Sequence, residues 1–287
     1  MPVPTMPNPS SVHESESIVL RHCASAADYA AVYALQEETW GSSASVLVST
    51  PILKVAPRVG GITAGAFDAQ GRLLGFVFGL TGPQGGRLIH WSDMLAVRPE
   101  ARDLRLGRRL KAFQREACRA IGVEAMQWTY DPLVARNAHL NLSALGAHVV
   151  EYVTNMYSDS DSPLHAGLGT DRLVVEWPID AARESRQSAD ANNGRDALLL
   201  TDGETLTLAP LSRRAPAVRI PVPADIHAVL ANDPARAQRW RECTREAFVA
   251  AHAAGYTVNF FARAINDHAL SAYVLTPAHT SPAFSPP

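Results

Sequence analysis

The residues with the clearest chemical meaning lie in one run from Leu95 to Lys111, LAVRPEARDLRLGRRLK. It joins a strand end to Pro99, then to an Arg-rich loop, then to the start of a helix. The first amides of a helix have no intrahelical acceptor and carry partial positive charge. A diphosphate can gather them. Arg102, Arg105, Arg108 and Arg109 add formal charge around that point. The plain alternative is a solvated basic helix face. The Val97-x-Pro99 pair just upstream favours the phosphate site.

Several elements must position this run. Ser17 to Cys23 alternates apolar and polar residues, as a first strand does. Ser25 opens a helix to about Thr39, with Asp28 in a short form of the capping box, and Gly41 stops it. Ala44 to Val55 reads as a second, less regular helix interrupted at Pro51. Gly60–Phe67 and Leu73–Leu80 pair across a turn at residues 68–71. Residues 82–86 make the next turn, and Arg87–Val97 is the third strand of the meander. Leu104 to Ile121 is strongly helical: Leu106, Leu110, Phe113, Ala117 and Ile121 share one face, and Arg108, Lys111, Arg115 and Arg119 fall largely on others. A strand at Ala125–Tyr130, a short helix at Ala135–Leu145, and strands at Val149–Tyr157 and Arg172–Trp177 complete the series. The order is β-α-α-β-β-β-α-β-α-β-β, a mixed sheet with helices on its faces.

The chain has 287 residues, 47% of them hydrophobic and 19% charged, with a net charge of −2. That balance exerts no global pull toward nucleic acid or membrane. No apolar run reaches the roughly 20 residues of a spanning helix. Residues 1–16 and 277–287 read as disordered tails, without the features of a secretory signal. Residues 181–194 are polar and read as a linker. They divide a domain at 17–180 from a small α+β extension at 195–276. In that extension Ala197–Leu208, Ala217–Ile220, Tyr256–Phe261 and Ala272–Leu275 are expected strands. Ala224–Leu230 and Asp233–Ala254 are expected helices. Trp240, Arg241 and Glu242 on the second of these suggest packing or dimerisation rather than catalysis. The three cysteines are widely spaced, which indicates neither a disulfide framework nor a zinc site. Cys118 reads as a buried structural thiol, and a reducing cytoplasm fits.

At the Val97–Gly107 junction the chain resembles the GNAT acyltransferases. Their signature there is Val-x-Pro-x-x-Arg/Gln-x-x-Gly-x-Gly/Ala. Val97, Pro99, Arg102 and Gly107 match it, and Arg105 stands in place of the middle Gly. If the loop needs a positive φ there, a non-Gly residue costs about 1 kcal/mol or more. A bacterial GNAT subgroup resembles the chain further. It shares His90 with Met94-Leu95-Ala96-Val97, the run Trp128-Thr129-Tyr130-Asp131-Pro132-Leu133, Asn137-Ala138 with Asn141, and Thr170-Asp171-Arg172-Leu173 with Glu176-Trp177. The likeness covers about residues 17–178 and, to a lesser degree, Val222–Tyr256. It implies an α+β fold, a GNAT-like mixed and mostly antiparallel sheet flanked by helices. It also implies acetyl-CoA or another acyl-CoA as co-substrate, with no metal. The acceptor would be the amine of a small molecule, and some members resemble amino-acid N-succinyltransferases. In the same pattern Leu142 stands where many such enzymes have the Tyr that protonates the departing thiolate.

The resemblance assigns candidate roles. Backbone groups of Leu95, Ala96 and Val97 would hold the pantetheine. Arg102, Asp103, Leu104, Arg105, Leu106, Gly107 and Arg108 would hold the diphosphate, and Asn137 could touch the cofactor. Asp93 could take a proton from the attacking ammonium, or else pair with a nearby Arg. His90 could act likewise, or be a satisfied interior histidine. The odd spacing of His90 and Asp93 puts them on opposite faces, Asp93 with Trp91 and Leu95. Asn141 is a substrate contact or a helix-surface residue. Tyr130, Tyr152 and Tyr157 are core aromatics, any of which could replace the missing acid. Arg172 is a strand-edge ion pair or a carboxylate clamp. Nucleic acid and membrane are not expected partners. The alternative function is a GNAT-like module that binds CoA without transferring anything.

Overall fold

The computed structural model describes residues 18–42, 47–157, 167–180, 196–197, 199–201, 206–208, 215–263 and 270–278. The expected linker at 181–194 and the first expected tail lie outside them. Of the last tail, Pro277 and Ala278 are described, and Pro277 closes a strand. The chain forms two compact units that divide between Gln127 and Trp128.

The first unit holds β1 (Val19–His22), α1 (Ala26–Trp40), α2 (Thr50–Val55), β2 (Ile62–Phe67), β3 (Leu73–Gln84), β4 (Arg87–Val97), α3 (Leu106–Ala120) and the first half of β5 (Ala125–Tyr130). The strands lie in chain order. All neighbours are antiparallel except β4 and β5, which are parallel. The architecture is therefore α+β, a mixed and mostly antiparallel sheet with helices on its faces.

Local chemistry explains most of these boundaries. Ser25 accepts a hydrogen bond from the amide of Asp28, and Asp28 accepts from the amide of Ser25, a complete capping box. Pro51 does not interrupt α2 but sits in its first turn. A missing N–H is harmless there. The turn into β4 is Gly85-Gly86, both at positive φ, so β3 runs on to Gln84 rather than ending at Leu80.

One face of the sheet carries a core built by Tyr29, Val32 and Leu35 of α1 with Phe76, Phe78, Met94 and Ala96. The other face meets α3, where a β-carbon on Gly75 would touch both Leu110 and Val97. Leu106, Leu110 and Cys118 are buried, whereas Ile121, expected on the same face, is exposed.

The second unit holds the rest of β5, α4 (Ala135–Ala138), β6 (His148–Val153), β7 (Arg172–Pro178), β8 (Asp196–Ala197), β9 (Leu199–Thr201), β10 (Leu206–Leu208), β11 (Val218–Pro223), α5 (Ile226–Asn232), α6 (Pro234–Ala253), β12 (Tyr256–Ala262) and β13 (Leu270–Pro277). A π-helical stretch, His139–Leu145, continues α4. The order β5-β7-β6 ends one sheet, and β12-β13-β11-β8 forms another. Within the stretch Ala197–Leu208, expected as short strand, the described residues form the end of β8, then β9 and β10. Helix α5 starts later than expected, because Asp225 caps the amides of His227 and Ala228. Trp240 and Arg241 of α6 are buried within this unit, so they pack its core.

Candidate functional site

After β4, a 3-10 turn (Pro99–Leu104) delivers the chain to Arg105. Arg105 is left-handed, with φ 54° and ψ 26°. This is the position where the resembled pattern has its middle Gly, so the loop does need a positive φ and an L residue supplies it. The Arg105 carbonyl accepts from the amide of Arg109 at 3.2 Å. No side chain caps α3, and the amides of Leu106, Gly107 and Arg108 precede the first intrahelical bond. The Arg102, Arg105 and Arg108 residues are exposed around them, with Asp103, while Leu106 is buried beneath. Arg109 is committed elsewhere, donating to the carbonyl of Ile18 at 3.2 Å.

Gly107 is required neither by backbone conformation nor by packing. A β-carbon there would meet only Leu95 Cδ2, at an ordinary 3.6 Å. What its hydrogen leaves open is the amide edge of the first turn. Uncapped amides, a bare backbone and three exposed guanidinium groups fit a diphosphate.

The strand leading into this loop is irregular where it matters. Leu80 faces Trp91 and Phe78 faces Met94, so Gly79 alone opposes both Ser92 and Asp93. This is a β-bulge, and it reverses the side-chain alternation. His90 and Ser92 face α3 before it, and Leu95 and Val97 face α3 after it. Trp91 and Leu95 therefore lie on opposite faces, contrary to the simple period of two. The register between β4 and β5 ends at Trp91 and Gln127, and Ser92–Val97 extends past it. Backbone groups of Leu95, Ala96 and Val97 lie on that extension.

Asp93 is open to solvent yet crowded by protein. Burial raises its carboxyl above the ordinary range, partly opposed by a hydrogen bond from Trp91. His90 is different. It is wholly buried, with Nδ1 2.8 Å from Thr81 Oγ1 and Nε2 3.0 Å from Gln114 Nε2. Burial, with Lys111 nearby, pushes it down to about 3. Both ring nitrogens are engaged, so His90 is the satisfied interior histidine and not a base facing substrate.

The remaining candidates belong to the second unit. Tyr130 is buried, and burial lifts its phenol well above the usual range. Asn141 is buried and accepts from Trp128 Nε1 at 3.0 Å, so it braces the π-helical stretch rather than meeting substrate. Asn137 is half-buried. Arg172 is buried: its Nη1 donates to the Asp171 carbonyl at 2.8 Å and lies 3.8 Å from Asp131. Its guanidinium also rests 5.2 Å from the Tyr157 ring. That is a structural ion-pair setting, not an open clamp. Asp131 accepts from the amide of Leu133 at 2.8 Å, which makes a turn across Pro132. Tyr152 donates to Asp171 at 2.7 Å. Cys23 and Cys118 are buried, and burial pushes both thiols up to about 12, which leaves them inert as nucleophiles.

Three residues near the site escaped sequence reading: Ser92, Gln114 and Lys111. Lys111 was expected off the apolar face of the helix, yet it is buried against β4. The available signal was the spacing of Lys111, Gln114 and Cys118, which places them on one stripe of α3.

No protein-family model matches the sequence, and no curated protein matches it. Solved structures do. The GNAT-superfamily phosphinothricin acetyltransferase of Sinorhizobium meliloti, in complex with AcCoA, is 18% identical over 56% of this chain and 88% of its own, with a TM-score of 0.46. The ribosomal-protein-S18-alanine N-acetyltransferase of Escherichia coli is 17% identical over 58% of this chain and 97% of its own, at 0.44. A GNAT-family acetyltransferase of Streptococcus pneumoniae is 18% identical over 56% and 99%, also at 0.44.

Proposed function

We propose that the chain is a GNAT-type, acyl-CoA-dependent N-acyltransferase, moving an acetyl or succinyl group to the amine of a small molecule such as an amino acid. One observation carries this reading. A left-handed residue ends the loop after β4, and the uncapped, glycine-bearing start of α3 comes next among exposed Arg side chains.

An acyl-CoA would supply the acyl group as an activated thioester. The chain's own residues would do the rest. The amides of Leu106, Gly107 and Arg108, with Arg102, Arg105 and Arg108, would bind the diphosphate. Backbone groups of Leu95–Val97 would align the pantetheine arm, and orientation of this kind supplies much of the rate in amine–thioester reactions. Asp93 would accept the proton of the attacking ammonium. Its accessibility suits that role, and its raised pKa brings it nearer the working pH.

A second reading, CoA binding without transfer, is favoured by the sealed state of His90 and Tyr130 and by the buried Leu142 in the usual acid position. Two measurements separate the readings. Melting temperature is recorded with CoA and with acetyl- and succinyl-CoA. A ligand at 100 times its Kd stabilises by about 2.7 kcal/mol. Thiol release is then measured with a panel of amines. Stabilisation with release supports the enzyme, and stabilisation without release supports the binding module. No stabilisation by any thioester sinks both.

A further inference from the structure

Five side chains from α3, β4 and β3 form one continuous hydrogen-bond chain, and its direction is set by its far end. The Gly60 carbonyl can only accept, so Thr81 Oγ1 donates to it at 2.6 Å. Thr81 must then accept from His90 Nδ1 at 2.8 Å, which fixes the imidazole as its Nδ1–H tautomer. His90 Nε2 must accept, and Gln114 Nε2 donates to it at 3.0 Å. Gln114 Oε1 accepts from Ser92 Oγ at 2.7 Å. Ser92 Oγ accepts from Lys111 Nζ at 2.8 Å. Lys111, Ser92, Gln114 and His90 are all buried.

The chain ends at a particular place. Ser92 is the first residue of the β4 bulge and the first beyond the β5 register. Lys111 lies one helical turn after Gly107, whose backbone packs beside Leu95. The strut therefore ties the bulge to the same helix whose N-terminus carries the anion site. A bulge leaves its extra residue outside the ladder and re-aims the side chains beyond it. Here the residue left with that freedom is Asp93.

We propose that Lys111 is a positioning residue: by donating to Ser92 it locks the β4 bulge, and the bulge so held is what distinguishes an acyl-CoA from free CoA. This rests on the acyl-CoA reading of the site. Burial lowers the Lys111 amine to about 7. Cys118 on α3 and His90 on β4 are titratable groups that share its field. A buried amine kept at that cost, one turn behind the anion site, is consistent with a role in holding the bulge.

The test uses the full chain as wild type, Lys111→Met and Ser92→Ala. Met keeps the length of the apolar stem, and Ala removes only the hydroxyl. Calorimetry gives the Kd of CoA and of acetyl-CoA for each. Wild type is expected to prefer acetyl-CoA by about tenfold, and both variants to lose that preference while CoA affinity stays within about twofold. The proposal is overturned if the variants keep the preference, if both ligands weaken by one factor, or if wild type has no preference. If wild type binds neither ligand, the acyl-CoA reading has failed, and with it the discrimination. The locking of the bulge is decided separately by amide exchange. Faster exchange at Ser92 and Asp93 in the variants, by about tenfold or more, upholds it, and unchanged exchange refutes it.

Discussion

Arg105 holds a backbone conformation that L residues enter at a cost of about 1–2 kcal/mol. Glycine enters it freely but loses more chain entropy on folding, by about 0.5–1 kcal/mol. Arg105→Gly is therefore expected to stabilise the chain by up to about 1 kcal/mol, and Arg105→Ala, still strained, is not. Denaturant midpoints of the two variants check this. Lys111 provides a second residue-scale test. Its folded pKa, about 7, lies below the roughly 10.4 of an unfolded lysine. Between those values the unfolded chain binds the extra proton, so stability rises with pH. Below about pH 7 both states are protonated and the whole penalty remains. Lys111→Met is expected to flatten that rise and to stabilise the chain most at pH 6, by a few kcal/mol at most. Urea unfolding at pH 6, 8 and 10 decides it. The positive φ at Arg105 and the exposed Arg side chains around it were legible because both depend on residues close together in the chain. The burial of Lys111 was not, because a lysine on a helix reads as solvated until the strand opposite supplies an acceptor.

Strand β4 shows what periodicity can and cannot supply. Its existence and bounds, Arg87–Val97, agree with sequence expectation. Its facing does not, because two residues oppose Gly79 and every side chain after Ser92 changes sides. Gly79 is the partner that permits this. A β-carbon there would lie 2.3 Å from His90 Nε2 and 2.5 Å from the Trp91 carbonyl, and the carbonyl is backbone that cannot swing away. Gly79→Ala is expected to cost about 3 kcal/mol. Gly82→Ala, with nothing within 4 Å, is the near-neutral control. Thermal unfolding of the two variants side by side tests the bulge. The cap of α1 was legible for the opposite reason: Ser25 and Asp28 are three residues apart and need no distant partner.

At the scale of the whole molecule, the second unit depends on charges held away from water. Asp171 is fully buried, and burial alone would raise its carboxyl. Two bonds from Arg245 at 2.7 and 2.9 Å, the amide of Asn155 and the hydroxyl of Tyr152 outweigh that and hold it below the ordinary range. Its contribution is thus present above the unfolded carboxylate pKa of about 4 and lost as pH falls further. Asp171→Asn leaves Arg245 without its counter-charge and is expected to cost about 3 kcal/mol at pH 7. It should also remove the acid-side decline. Hydrogen exchange should show the loss in peptides spanning β6, β7 and α6. Among the described residues no helix is long and apolar enough to cross a membrane.

The order of elements through β7, the capped start of α1 and the Arg-rich composition of the loop before α3 were determined by the sequence itself. Each depends on residues within a few positions of one another. Tertiary structure alone decided which way β4 faces past Ser92, that His90 is sealed, that Arg172 and Asn141 are tied to Asp171 and Trp128, and that Lys111 is buried. Those outcomes depend on Gly79, Gln114, Thr81 and other residues remote in sequence. A hydrogen bond or a bulge is settled only when both partners are in place.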